Sequence, residues 1–173
     1  YSRLPILENS EIDTLELKHQ RVVIDMNGRE IAIYNIHLDM PADSATQIDA
    51  PFLPEYITNY NTTKRNQQID ALLTHLETED LPYIVVGDFN TSDTDPIYGE
   101  LAANMTDAFR SAGSGFGLTW PAGASEEQNS NLPLLMRLDY VWYSQSIQAL
   151  SAVPGPVLGS DHLPLSVVVE IAR

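Results

Sequence analysis

The sequence contains no cysteine, which excludes disulfides, zinc–thiolate sites and cysteine nucleophiles while leaving the compartment open. Positive charge is scarce. Nine Lys and Arg stand against 24 Asp and Glu, a formal charge of −15, and Lys64-Arg65 is the only adjacent basic pair. A protein that grips duplex nucleic acid presents a basic patch, and an acidic surface repels polyanions unless a divalent cation offsets the repulsion locally. Long apolar runs are missing too. Ile84-Val85-Val86 and Val167-Val168-Val169 fall far below the ~20 residues that cross a bilayer. No basic segment followed by an apolar stretch marks a signal peptide. There is no glycine-rich loop followed by Lys-Ser/Thr, no Gly-x-Ser-x-Gly elbow and no internal repeat.

What is present is a chain of 173 residues with 43% hydrophobic and 19% charged content, enough for one domain with a buried core. Residues 14–26 alternate apolar and polar side chains around Leu15, Leu17, Val22 and Ile24. Asn27-Gly28 then supplies a tight hairpin turn, and a second strand runs over residues 30–38. Period two places Ile31, Ile33, Asn35 and His37 on one face. That face begins apolar and turns polar, so the strand's end leaves the core for a site. Residues 41–61 read as a long surface loop.

Thr62 or Thr63 caps a helix carrying Ile69, Leu72, Leu73 and Leu76 at helical spacing. Pro82 separates it from a buried strand ending at Asp88. Asp95-Pro96 opens a short helix to about Ala103. Residues 123–131 form another polar loop, and three strands close the chain at 138–143, 149–153 and 165–171. Many strands with few helices predict an α+β, layered α/β sandwich, mostly antiparallel.

Two stretches carry the chemistry. In Gly87-Asp88-Phe89-Asn90 an apolar strand halts and delivers two polar side chains that point the same way. Asp88 suits a divalent metal or a water, and the Asn90 amide suits a phosphoryl oxygen. The bland alternative is a turn stabilised by local hydrogen bonds. A calcium loop starting at Asp88 fails, because Asp93 and Gly99 replace its required Gly and Glu. In Ser160-Asp161-His162 the acid and imidazole are adjacent, so they cannot orient one another. A general base at His162 needs a distant carboxylate. Asp139, on a strand of large apolar residues, is the candidate, and a buried carboxylate there needs a partner. The alternative pairs Asp139 with Arg137. His19 and His75 look incidental, and Tyr34, Tyr140, Trp142 and Tyr143 read as core aromatics.

Taken in order, Asn35-Ile36-His37-Leu38, Gly87-Asp88-Phe89-Asn90, Arg137-Leu138-Asp139-Tyr140 and Ser160-Asp161-His162-Leu163-Pro164 resemble the endonuclease/exonuclease/phosphatase family. Thr119-Trp120 and Arg65 fit the likeness, which covers nearly the whole chain. It implies a deoxyribonuclease I-like fold with antiparallel sheets packed face to face and flanking helices, in one domain over residues 1–173 truncated at its N-terminus. Such members start with an Asn-bearing strand and a metal-binding Glu that Glu8, Glu11 and Glu16 do not match. The resemblance further implies in-line attack of water on a phosphodiester or phosphomonoester. His162 is then the general base, Asp139 its orienting acid and Asp88 the group that positions or activates the nucleophile. Asn90, with Asn35, binds the substrate phosphate, while His37 stabilises developing charge. Asp161, with Asp88 and Asn90, holds Mg²⁺ or Mn²⁺.

The expected partner is a phosphate ester, from nucleic acid, lipid or a small molecule, and the expected state is a monomer. A bacterial branch with transmembrane helices ahead of this domain is also similar, which sets an extracytoplasmic, membrane-tethered location as an expectation. Two alternatives stand beside hydrolysis: a non-catalytic interaction module with the same fold, and a fragment inactive for want of the metal-binding Glu.

Overall fold

A computed structural model describes residues 1–12, 19–41, 60–122 and 133–171. Leu15, Leu17 and most of the two loops expected at 41–61 and 123–131 lie outside these residues. The framework is a six-stranded sheet in the order β1-β2-β3-β4-β6-β5. Its strands are β1 (Ile6–Ile12), β2 (His19–Asp25), β3 (Glu30–His37), β4 (Tyr83–Asp88), β5 (Thr106–Asp107) and β6 (Asp139–Tyr143). Only β3 and β4 run parallel. A parallel pair needs a long crossover, and helix α1 (Thr63–Leu76) lies within it. A second, two-stranded sheet pairs β7 (Ile147–Pro154) with β8 (Leu165–Ile171).

The central sheet buries both faces. On one, α1 and α2 (Pro96–Asn104) contribute Ile69, Leu72, Leu76, Ile97 and Leu101 against Tyr34, Val85, Tyr140 and Trp142. Full burial of each such aliphatic side chain is worth roughly 1.5–3 kcal/mol. On the other face, β7–β8 and the short helix α3 (Ala108–Ala112) place Ile147, Ala149, Ala152 and Phe109 against Ile31, Ile84 and Tyr143. The layers are therefore helices, large sheet and small sheet, a layered α+β sandwich. No helix among the described residues is long and apolar enough to cross a membrane.

Local details follow the sequence closely in places. Asn27 and Gly28 both take positive φ, 58° and 85°, as a two-residue hairpin turn with right-handed strand twist demands. Asp95 caps α2 by accepting the N–H of Ile97, with Pro96 in the first turn. Elsewhere the outcome differs. Thr62 stands at the start of α1 without a side-chain cap bond, and Asn61 Oδ1 accepts the N–H of Thr63 instead. β1 and α3 were absent from the expected elements. Six of the seven residues of β1 are exposed, so it carries no burial period to read.

Candidate active site

The sheet register assembles the first part of the site. Asn35, Val86 and Val141 are lateral neighbours across β3, β4 and β6, and one step further along stand His37, Asp88 and Asp139. Period two keeps these rows on one face, where the preceding row is Ile33, Ile84 and Tyr143. The apolar column thus ends at the edge of the sheet in three adjacent chemistry-bearing side chains. Gly87 permits this. Its φ is +145°, and a Cβ there would lie 1.9 Å from the carbonyl oxygen of Ile36, so no other residue brings β4 this close to β3.

Beyond Asp88 the chain turns sharply. Phe89 is fully buried on the helix side, and its N–H donates to the Leu138 carbonyl at 2.9 Å. Asn90 swings back in the left-handed region, at φ 46°. Asn tolerates this conformation better than most residues, and three contacts fix it. Its backbone N–H donates to Asp88 Oδ1 at 2.8 Å, and its amide Nδ2 donates to the Leu38 carbonyl at 2.8 Å. Its own carbonyl accepts from Arg65 Nη1 at 2.8 Å. Arg65 is buried on α1 and also meets Asp95 Oδ2 at 2.8 Å. The hydrogen-bonded turn expected at Asp88 and Asn90 is therefore present, and it fixes both side chains beside His37 and Asp139.

His162 arrives from the loop between β7 and β8. Its Nδ1 lies 2.8 Å from Asp139 Oδ2, and its Nε2 lies 3.9 Å from Asp88 Oδ2. A carboxylate only accepts, so Nδ1 carries the proton and, in the neutral ring, Nε2 holds the free lone pair. His37 approaches Asp88 from the other side, Nε2 to Oδ2 3.7 Å, and is largely exposed. Arg137 does not pair with Asp139. The side chain of Arg137 is buried, donates to Asp107 Oδ2 at 2.6 Å and reaches Asp93 Oδ2 at 3.3 Å. That alternative is overturned, and Asp139 is left to the imidazole.

Asp161 is exposed beside His162, and its backbone carbonyl accepts the N–H of Ala122 at 2.7 Å. Asn35 is exposed one row behind His37. Electrostatics follow from placement. Burial pushes the Asp88 carboxyl above its ordinary value, and nearby Asp139 adds to this against the Asn90 N–H and the two imidazoles. The hydrogen bond to Asp139 raises His162, with the charges of Asp139, Asp88 and Asp161 acting in the same direction against burial.

Asp88, Asp139 and His162 each offer one ligand atom, all within 4.8 Å of one another. This set differs from the expected Asp161, Asp88 and Asn90. Two carboxylates and an imidazole fit a divalent cation. The Asp139 oxygen already serves the imidazole, however, which leaves Asp88 Oδ2 the better-placed donor.

Sequence reading underrated two residues. Thr119 is fully buried, and its hydroxyl accepts the N–H groups of Leu138 and Asp139. The Tyr140 hydroxyl donates to the carbonyls of Thr91 or Arg137, both at 2.9 Å, beneath the site. His19, taken as incidental, is a buried residue of β2 with both ring nitrogens unpartnered among the described residues.

The sequence model of the Endonuclease/Exonuclease/phosphatase family matches residues 1–162, and the chain belongs to that family, which includes hydrolases of phosphoesters. In structure the chain is similar to a conserved protein of unknown function from Enterococcus faecalis V583, with 15% identity and a TM-score of 0.71 over 97% of this chain and 67% of that one. An endonuclease/exonuclease/phosphatase from Bacteroides vulgatus is similar at 17% identity and TM-score 0.71, over 96% and 66% of the two chains. The catalytic domain of human Nocturnin, with bound sulfate, is similar at 24% identity and TM-score 0.62, over 98% and 61%. These likenesses show the fold, and the chain spans 61–67% of the length of the three structures. No curated protein matches it.

Proposed function

We propose that the protein hydrolyses a phosphodiester or phosphomonoester by in-line attack of water. The observation that carries this reading is the His162 imidazole, anchored to Asp139 at Nδ1 and directing Nε2 towards Asp88. A ring held in this tautomer takes a proton from water at Nε2, and the Asp139 carboxylate stabilises the imidazolium that forms. Asp88 positions the attacking water through its Oδ2. Asn90 orients the phosphate with its side-chain amide, and Asn35 lines the approach. His37, exposed at the rim, donates to the phosphoryl oxygens as charge develops on them.

Asp88, with Asp161 and Asn90, would hold Mg²⁺ or Mn²⁺, and such a cation neutralises charge on the phosphoryl group as a Lewis acid. The acidic balance of the chain ranks a small or lipid-derived phosphate level with nucleic acid. The test is hydrolysis of bis-p-nitrophenyl phosphate, with and without Mg²⁺, by the protein and by His162→Ala. A positioned general base contributes about 10²–10⁴-fold, so the variant should lose activity on that scale. Equal rates would remove the hydrolytic reading for this chain and leave the non-catalytic module or the inactive fragment.

A further inference from the structure

Asp139 and His162 belong to different segments, and their 2.8 Å contact requires both segments to be fixed. Asp139 opens β6, while His162 sits in the loop that precedes β8. One residue touches both. The Thr119 hydroxyl accepts the backbone N–H of Leu138 at 3.1 Å and of Asp139 at 3.3 Å. The Thr119 carbonyl accepts the N–H of Leu163 at 2.9 Å. Its own N–H donates to the Met136 carbonyl at 2.8 Å, and three residues on Ala122 donates to the Asp161 carbonyl. We infer that Thr119 is a positioning residue, a clasp that sets the His162 imidazole against Asp139.

The chemistry of the clasp is specific to a hydroxyl. Its oxygen has two acceptor lone pairs, matching the two N–H groups it meets. Thr119 is fully buried, so no water replaces the hydroxyl if it is lost, and the amides of Leu138 and Asp139 become unsatisfied donors. Val has nearly the same shape and no acceptor. Ser keeps the acceptor and loses only a methyl group. The contacts to Leu163 and Asp161 are made by backbone and survive either change. Their anchor does not, because the strand start that Thr119 holds is the element that carries Asp139. The contribution to rate rests on the proposed hydrolysis; the clasp itself rests on geometry alone.

The test compares Thr119→Val and Thr119→Ser at one pH by two readouts, with folding confirmed by circular dichroism. The first is the far-downfield proton resonance of His162 Nδ1–H in its bond to Asp139, assigned by its loss in His162→Ala. The second is Mg²⁺-supported hydrolysis of bis-p-nitrophenyl phosphate, separated into kcat and KM. Thr119→Val should lose the resonance and about 10²-fold in kcat, the scale of a misplaced catalytic group, with KM little changed. Thr119→Ser should keep both. A folded Thr119→Val that retains resonance and kcat overturns the clasp. If that variant does not fold, amide hydrogen exchange in the unmodified protein decides. Matched protection of Asp139 and Leu163 supports the clasp, and an unprotected Leu163 beside a protected Asp139 overturns it. Loss of the resonance in Thr119→Val, with full activity in His162→Ala, supports the clasp and removes the hydrolytic reading instead.

Discussion

Asp139 grips His162 at Nδ1 over 2.8 Å, while the opposite nitrogen of the same ring faces Asp88 Oδ2 at 3.9 Å. The ring is therefore fixed on one side and open on the other, as an imidazole must be if it is to exchange a proton with water. Its proton affinity is raised by the same contact.

The first prediction concerns pH. A general base works only when neutral, so the raised pKa of His162 places the acid limb of kcat/KM above the ordinary value of 6.5. Asp139→Asn removes the negative charge that favours the imidazolium. The acid limb should then move to lower pH, and the plateau should fall by about 10²–10⁴-fold. A pH–rate profile of both proteins checks this. An unmoved limb would show that another group titrates.

The second concerns Gly87. Ala at this position meets the Ile36 carbonyl at 1.9 Å and must adopt a φ of +145°. Strained backbone alone costs of order 1–3 kcal/mol, and the overlap forces β3 and β4 apart beside Asp88. Urea denaturation of Gly87→Ala should show a loss of at least about 2 kcal/mol. A loss below about 0.5 kcal/mol, typical of surface changes, would mean the approach of the strands is not tight.

Arg65 is the third. Its guanidinium joins α1 to the Asn90 carbonyl and to Asp95, and the two side chains, 1% and 11% exposed, are buried and largely buried respectively. Removing one member of a buried pair strands the other and costs about 3–5 kcal/mol. Arg65→Met should lose stability on that scale, while Lys64→Met, at a half-exposed pair with Asp39, should change it by less than about 1 kcal/mol. Thermal unfolding of the two variants separates a buried from a surface ion pair.

The face of β3 that turns polar after Ile33, the Asp88–Asn90 step and the need of His162 for a distant acid were legible because each rests on period two or on the cost of burying charge. Sequence spacing also gave α2 its cap at Asp95. The partner of Arg137 was not legible. Asp107 is 30 residues away, and Asp93 is 44 residues away, and a contact at such separation leaves no local pattern. Asp107 looked like one more acid among 24. For the same reason Thr119 was noticed only through its neighbour Trp120, since a hydroxyl that accepts two backbone amides has no spacing signature. β1 escaped because an exposed edge strand has no buried face to announce it.

The last prediction follows from that missed pair. Arg137 is fully enclosed, its guanidinium 4.6 Å from the ring centre of Tyr140 and bonded to Asp107 and Asp93. Asp107 in turn caps α3 at the N–H of Phe109 and accepts from the Tyr98 hydroxyl. Arg137→Met leaves the Asp107 carboxylate buried without its cation, which should cost about 3–5 kcal/mol. Asp107→Asn keeps shape and some capping capacity while removing the negative charge, and by itself it leaves the buried guanidinium with Asp93 as its carboxylate partner among the described residues. The double variant has neither charge, so its loss should be smaller than the sum of the single losses by about 1–3 kcal/mol, the range for groups in direct contact. Chemical denaturation of the four proteins measures this coupling. Additive losses would mean that the cation and the acid are satisfied independently, and the two stretches that flank the site would then not be held by this pair.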